Sequence, residues 1–211
     1  MHATTTDEPV ADAAPRRARS LKWRPVDIVV AAVLAVAAGV VFWVWDLVSN
    51  PVGAPIGAAL PGLQGLINGP WLFAGVLVGL VVRKPGAALF GELVGASVSA
   101  LLGTVWGPLT LVSGLVQGLG VELVFAILLY CRWGLGAALL GGFGAGVAES
   151  VLDLTVWYPA AKPLFDVLYA VGTMVSGTVI AGIGSWLLVK ALARTGALSR
   201  FASGREAVAR S

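Results

Sequence analysis

Four acidic side chains lie inside apolar stretches that are long enough to cross a lipid bilayer: Glu92, Glu122, Glu149 and Asp153. A charged side chain at the centre of a bilayer costs about 2.5–3.5 kcal/mol even on lenient insertion scales, so such residues are usually functional. The same stretches hold no Lys or Arg that could pair with these acids. We therefore expect the acids to meet a cation, although Asp153 is near enough to the end of its stretch to be merely interfacial.

Amide and aromatic side chains accompany these acids. Gln64 and Asn68 are four residues apart, Trp71 follows on the adjoining helical position, and Gln117 precedes Glu122 on the same predicted span. Amides both donate and accept hydrogen bonds, carboxylates accept them, and an indole offers a stacking face. Together they suit a planar, cationic heteroaromatic ligand. A proton relay would use the same acids, and that alternative stays open.

The composition is that of a membrane protein rather than a soluble domain or a nucleic-acid-binding protein. The chain has 211 residues, of which 58% are hydrophobic and 12% charged, and its mean hydropathy is +0.90. The basic pI of about 9.4 reflects charged membrane flanks. No Ser-His-Asp set, no phosphate-binding Gly-Lys-Ser/Thr loop and no intramembrane His is present, so we predict neither catalysis nor a cofactor.

Six spans divide the chain. We place them at residues 26–45, 63–82, 86–104, 109–130, 134–155 and 165–193. With a cytoplasmic N-terminus, thirteen of the fourteen Lys and Arg residues fall on the cytoplasmic side and only Lys162 falls outside. The sequence thus predicts an all-α bundle of six transmembrane helices over residues 25–195 in the cell membrane. Residues 1–24 and 196–211 are expected to be cytoplasmic tails, the first of them disordered.

Residues 46–62 are predicted to be an irregular connection on the outer face, because they combine Pro51, Pro55 and several glycines. Such a connection serves either as an interfacial loop or as a lid over an outward-facing pocket. Five tryptophans are expected at the same outer level, where an aromatic belt is the simpler explanation. These tryptophans are Trp43, Trp45, Trp71, Trp106 and Trp157.

Small residues recur at helical spacing along the first span, at Ala31, Ala35 and Gly39. Such stripes let two helix backbones approach closely inside a membrane. They either pack within the bundle or dock a partner subunit.

Four segments then resemble a known family. They are residues 39–45 (GVVFWVW), 68–73 (NGPWLF), 83–92 (RKPGAALFGE) and 117–125 (QGLGVELVF). In order and spacing they are similar to the YkoE family, the membrane substrate-binding (S) components of energy-coupling-factor (ECF) vitamin transporters. The resemblance covers about residues 22–195. It implies a six-helix S-component that binds thiamine or its hydroxymethylpyrimidine precursor, together with a transmembrane coupling subunit and ABC-type ATPases as partners.

The resemblance also ranks the candidate binding residues. Glu92, Gln117 and Glu122 come first because they lie within the matching motifs. Trp43, Asn68 and Trp71 follow for the same reason, while Gln64 and Glu149 rest on their chemistry alone. Because S-components of this type dock through small residues on their first helix, the resemblance favours Ala31, Ala35 and Gly39 as the docking stripe. A carboxylate would neutralise the thiazolium ring of thiamine, and its aminopyrimidine would bind Glu, Gln or Asn and stack on Trp.

Two alternatives accompany this interpretation. Cobalt and nickel S-components also begin with Met-His, as this chain does at Met1-His2. However, some twenty hydrophilic residues separate His2 from the first span, and no second His or cysteine cluster completes a metal site. A proton-coupled carrier acting alone is the second alternative, and the absence of an inverted repeat in the sequence weakens it.

Overall fold

The computed structural model describes residues 20–208, and every regular element in that range is helical. Most of the predicted N-terminal tail, including His2, lies outside the described residues. Two short 3₁₀ turns, Leu63–Ile67 and Gly69–Trp71, precede the second helix. The helices are α1 Pro25–Ala59, α2 Phe73–Val82, α3 Ala87–Leu101, α4 Leu109–Ile127, α5 Leu135–Val156, α6 Pro163–Ser176, α7 Gly184–Arg194 and α8 Ala202–Val208.

Within residues 20–208, four helical segments are long and apolar enough to cross a membrane. They are α1, α4, α5 and the continuous segment Pro163–Arg194, in which a π-helical stretch, Gly177–Ile183, joins α6 to α7. The two remaining apolar helices, Gly69–Val82 and Ala87–Leu101, are shorter. The second of the predicted spans therefore consists of two 3₁₀ turns and a ten-residue helix rather than one long helix. That helix lies at the centre of the core, since every residue from Ala74 to Val82 is buried.

The predicted irregular connection over residues 46–62 is wrong for most of its length, because α1 continues to Ala59. Pro51 and Pro55 lie inside this helix, and both are exposed. Gly53 and Gly57 face the first 3₁₀ turn instead. A Cβ atom at Gly53 would lie 2.7 Å from Ile67, so the glycine is what allows this close approach. Packing thus outweighs the helix-breaking tendency of the prolines.

The small-residue stripe of α1 packs inside the bundle. Ala31 and Ala35 have no exposed surface. A Cβ atom at Gly39 would lie 2.5 Å from the carbonyl oxygen of Gly95 and 2.6 Å from the Cβ of Val98. The backbone of α1 therefore packs directly against α3 at this position. The prediction that these residues dock a partner subunit does not agree with this burial. They form an internal helix–helix contact of the kind that small residues permit.

Charged residues at one end of the bundle pair with each other. Asp27, buried in the first turn of α1, accepts hydrogen bonds from the Arg24 guanidinium at 2.7 Å and from the Lys84 ammonium. Arg83, in the turn between α2 and α3, donates to Glu206 of α8 at 2.7 Å. Part of the expected C-terminal tail therefore folds onto the bundle as α8.

Candidate functional site

A cavity of about 200 Å³ opens at the end of the bundle opposite these ion pairs. Its walls come from α1, the second 3₁₀ turn, the ends of α3, α4 and α5 that meet there, and α6. Three carboxylates line it, Asp46, Glu149 and Asp153, and no described residue in its lining is Lys, Arg or His. The amides Asn68 and Gln117 and a set of aromatic rings complete the lining. These rings belong to Phe42, Trp71, Trp106, Trp157, Tyr158 and Tyr169.

Asp46 organises the aromatic wall. One of its oxygens, Oδ1, accepts hydrogen bonds from the indole N–H of Trp71 at 2.8 Å and of Trp106 at 3.1 Å. The other, Oδ2, accepts one from the hydroxyl of Ser99 at 2.9 Å. The two indole rings meet edge to face at 6.0 Å, and Trp106 meets Trp157 in the same manner at 5.8 Å. A buried carboxylate therefore holds two tryptophans at the cavity wall.

A second network surrounds Asp153. The hydroxyl of Tyr169 donates to Oδ2 of Asp153 at 2.6 Å. The Asn68 amide donates to the Tyr169 hydroxyl at 2.9 Å and to the Thr173 hydroxyl at 3.1 Å. Asn68 sits in the turns before α2, so this network ties those turns to α5 and α6. Tyr158, in the connection after α5, also lines the cavity, and burial raises the pKa of its phenol.

Glu149 points at the cavity with unused hydrogen-bonding capacity. Its side chain is buried, it lies beside Gln117, and its Oε2 has no hydrogen-bond partner within the described structure. A buried polar atom without a partner costs about 1–3 kcal/mol. A ligand that donates a hydrogen bond to this oxygen would recover that cost.

The structure brings only some of the predicted binding residues to this cavity. Asn68, Trp71, Gln117 and Glu149 line it, and Glu92 does not. Glu92, on α3, is fully buried against α2. Its Oε2 accepts the backbone N–H of Gly75 at 2.5 Å, and its Oε1 has no hydrogen-bond partner among the described residues.

Glu122 lies away from the cavity and stabilises the start of α3. It accepts the backbone N–H groups of Gly86 at 2.6 Å and Ala88 at 3.0 Å, and the Tyr130 hydroxyl at 2.7 Å. A carboxylate at a helix N-terminus satisfies free N–H groups and favours the helix dipole. The hydrogen bonds of Glu122 thus stabilise the fold, and the side chain does not face the cavity.

The remaining two predicted residues border other surfaces. Trp43 does not line this cavity, nor a second cavity that lies beside it. Gln64 lines a neighbouring cavity of about 460 Å³, where it accepts the backbone N–H of Gly62 at 2.8 Å. That second cavity lies against residues 49–57 of α1. It shares five lining residues with the first, namely Asn68, Trp71, Trp106, Tyr158 and Tyr169.

Sequence reasoning missed several residues that line the cavity, above all Asp46. Its expected place in an irregular connection hid the helical spacing that joins it to Phe42 on one buried face of α1. Trp106 and Trp157 were predicted at the outer level but explained as an aromatic belt. For Tyr169, in the middle of α6, the sequence carries no comparable signal.

Metal binding finds no support among the side chains of residues 20–206. No group of three or more His, Cys, Asp or Glu residues there is arranged to hold a metal ion. The three cavity carboxylates are the acids that could contact a metal ion there. Two of them, Asp46 and Asp153, already accept hydrogen bonds from indole, hydroxyl or phenol groups.

Comparisons with known proteins point in one main direction. A family model described as "ABC-type cobalt transport system, permease component" matches residues 26–148. The chain is 34% identical over 185 residues to the "Putative HMP/thiamine permease protein YkoE" of Bacillus subtilis (strain 168), which covers 87% of this chain and 92% of that relative. A solved structure described as "Crystal structure of an S-component of ECF transporter" matches with a TM-score of 0.76 and 30% sequence identity, covering 90% of this chain and 95% of the other.

Proposed function

Because this chain belongs to the YkoE family and has the fold of an ECF-transporter S-component, we propose that it captures thiamine or its hydroxymethylpyrimidine precursor from outside the cell. The observation that carries this proposal is the cavity, in which acids, amides and tryptophans meet without any basic side chain. Transport, rather than catalysis, is the activity of the family.

The chemistry of thiamine suits these walls. Its aminopyrimidine donates from an amino group and accepts at ring nitrogens, which matches the free Oε2 of Glu149 and the amides of Gln117 and Asn68. Its thiazolium carries a fixed positive charge, which acids and indole faces favour. Burial of both rings against Trp71 and Trp106 would supply the apolar part of the binding free energy.

The topology proposed with this function has six spans and both termini in the cytoplasm of a bacterial-type plasma membrane. The distribution of Lys and Arg supports it, since the cavity then opens outward and Arg83, Lys84 and Arg132 lie inside. The short α2 would cross as the buried centre of the bundle rather than as a lipid-facing helix.

The proposed partners are a transmembrane coupling subunit and ABC ATPases that supply the energy. The coupling subunit requires a surface other than the buried Ala31–Gly39 stripe. An apolar, exposed face of α1 is available, formed by Val29, Val33, Val36 and Val40.

Uptake of radiolabelled thiamine tests the whole proposal. Cells that lack thiamine synthesis and transport should accumulate label when they express this chain together with the coupling subunit and ATPases. Cells with an ATPase that cannot hydrolyse ATP should not. Accumulation that needs no ATPase, and that collapses with the proton gradient, would instead identify a proton-coupled carrier.

A cobalt or nickel permease component is the second candidate, favoured by the description of the matching family model. It requires ligands outside the described residues, with His2 as the one His in the chain. Competition by Co²⁺ or Ni²⁺ for the thiamine-dependent signal, abolished in His2→Ala, would support it. Metal uptake without thiamine uptake would replace the vitamin proposal.

A further inference from the structure

One acid in the cavity, Asp46, is held in place by hydrogen bonds from the protein itself. Asp46 accepts three hydrogen bonds, two from indoles and one from Ser99, spread over both of its oxygens. A carboxylate offers about four acceptor positions, so three donors fix the orientation of this group and leave one position unused. No described Lys, Arg or His lines the cavity to neutralise it.

The other two acids have different surroundings. Asp153 receives the Tyr169 phenol at 2.6 Å on one oxygen. Glu149 keeps Oε2 without a partner, beside Gln117. Asp46 is therefore the carboxylate with the most donors around it, and Glu149 is the one with most capacity to take a new hydrogen bond.

Aromatic rings lie next to Asp46 in the wall of the cavity. Its hydrogen bonds hold the indoles of Trp71 and Trp106, whose rings stand at 85° to each other, and both rings line the cavity. Trp157 continues the wall at 5.8 Å from Trp106. An anion behind two fixed indoles is an arrangement that selects a flat or compact cation, because ring faces and carboxylate both attract positive charge.

We propose that Asp46 is the counter-ion for the permanently charged ring of the ligand, with Trp71 and Trp106 as the two sides of the cation site. The charged ring then lies at the α1 side of the cavity, and the neutral hydrogen-bonding ring lies toward Glu149 and Gln117. This inference rests on the proposed function, and it assigns different halves of the ligand to different acids.

Two ligands that differ in charge but hardly in shape test it: thiamine, and its neutral isostere in which a thiophene replaces the thiazolium. Binding of each to the purified full-length chain in lipid nanodiscs is measured by isothermal titration calorimetry. The wild type should bind thiamine about 10- to 100-fold more tightly than the isostere. Asp46→Asn should remove most of that preference while the dissociation constant of the isostere stays within about threefold.

Two matched variants separate charge from positioning. Glu149→Gln should weaken both ligands alike, because it faces the ring that they share. Trp71→Phe keeps an aromatic ring but loses the N–H that Asp46 accepts, and it should weaken both ligands while leaving the preference for thiamine largely in place.

Each outcome decides a separate point. A wild type that binds both ligands equally overturns the counter-ion role even if Asp46→Asn fails to fold. Equal weakening of both ligands by Asp46→Asn, with the preference intact, reduces Asp46 to a residue that positions tryptophans. A wild type that binds neither ligand contradicts the proposed function itself.

Discussion

Glu149→Gln tests whether this cavity-lining acid binds the ligand, in contrast to the intramembrane acids outside the cavity. The side chain is buried, lines the cavity, and has one oxygen without a partner. Glutamine preserves its shape but replaces one acceptor oxygen with an NH₂ donor. A ligand amino group that donated to the carboxylate would then face a donor.

The expected size of the effect follows from the kind of bond that is lost. A hydrogen bond to a charged group is worth about 1.5–3 kcal/mol, and each 1.4 kcal/mol is a factor of ten in affinity. Thiamine binding by the purified protein should therefore weaken about 10- to 100-fold in calorimetry, while the midpoint of thermal unfolding in the absence of ligand stays the same or rises.

Glu122→Gln is the matched control, since it makes the same chemical change on an acid that caps α3 away from the cavity. It should lower the free energy of unfolding by about 0.5–2 kcal/mol and leave the dissociation constant of thiamine within about twofold. Unchanged affinity in folded Glu149→Gln, or an equal loss in Glu122→Gln, would refute the assignment of the cavity.

Three further predictions concern packing, the second buried acid and topology. Gly39→Leu should reduce the yield of folded protein and lower its unfolding temperature, because the new side chain overlaps α3, whereas Ala37→Leu on the exposed face should not. Glu92→Gln should keep thiamine affinity within about threefold, since an amide oxygen can still accept the N–H of Gly75, and a loss above tenfold in titration would place Glu92 in the site. A reporter fused to the C-terminus should be active only in its cytoplasmic form, and activity of a periplasmic reporter would overturn the six-span topology.

The helices themselves could largely be predicted from the sequence. Uninterrupted apolar runs and short basic turns mark α3, α4 and α5 within a few residues, because lipid leaves the backbone no alternative to helix. The family was predicted from four short motifs, and the 34% identity to YkoE over most of the chain confirms it.

The course of α1 beyond Asp46 could not be predicted in the same way. Pro51 and Pro55 are strong local signals for a break, yet α1 continues to Ala59. The close packing of Gly53 against Ile67 favours the helix, and this tertiary contact cannot be read from the local sequence. A carboxylate in an outer loop needs no functional explanation, so the sequence alone does not single out Asp46.

Part of the candidate site was accessible to sequence reasoning. Asn68, Trp71, Gln117 and Glu149 were singled out as polar or aromatic groups at membrane depth, and the structure brings all four to one cavity. The same reasoning selected Glu122, whose function as a cap for α3 depends on a tertiary contact across more than thirty residues. Burial of an acid in an apolar run indicates a partner, but it does not distinguish a ligand from a helix N-terminus.

We propose that the ligand binds in the cavity between Asp46 and Glu149, and a structure of the protein determined with thiamine would locate it. We expect density for one thiamine in that cavity, with its thiazolium against Trp71 and Trp106 and its aminopyrimidine within hydrogen-bonding distance of Glu149. Density elsewhere in the protein, or an empty cavity at a thiamine concentration that saturates binding in solution, would contradict it.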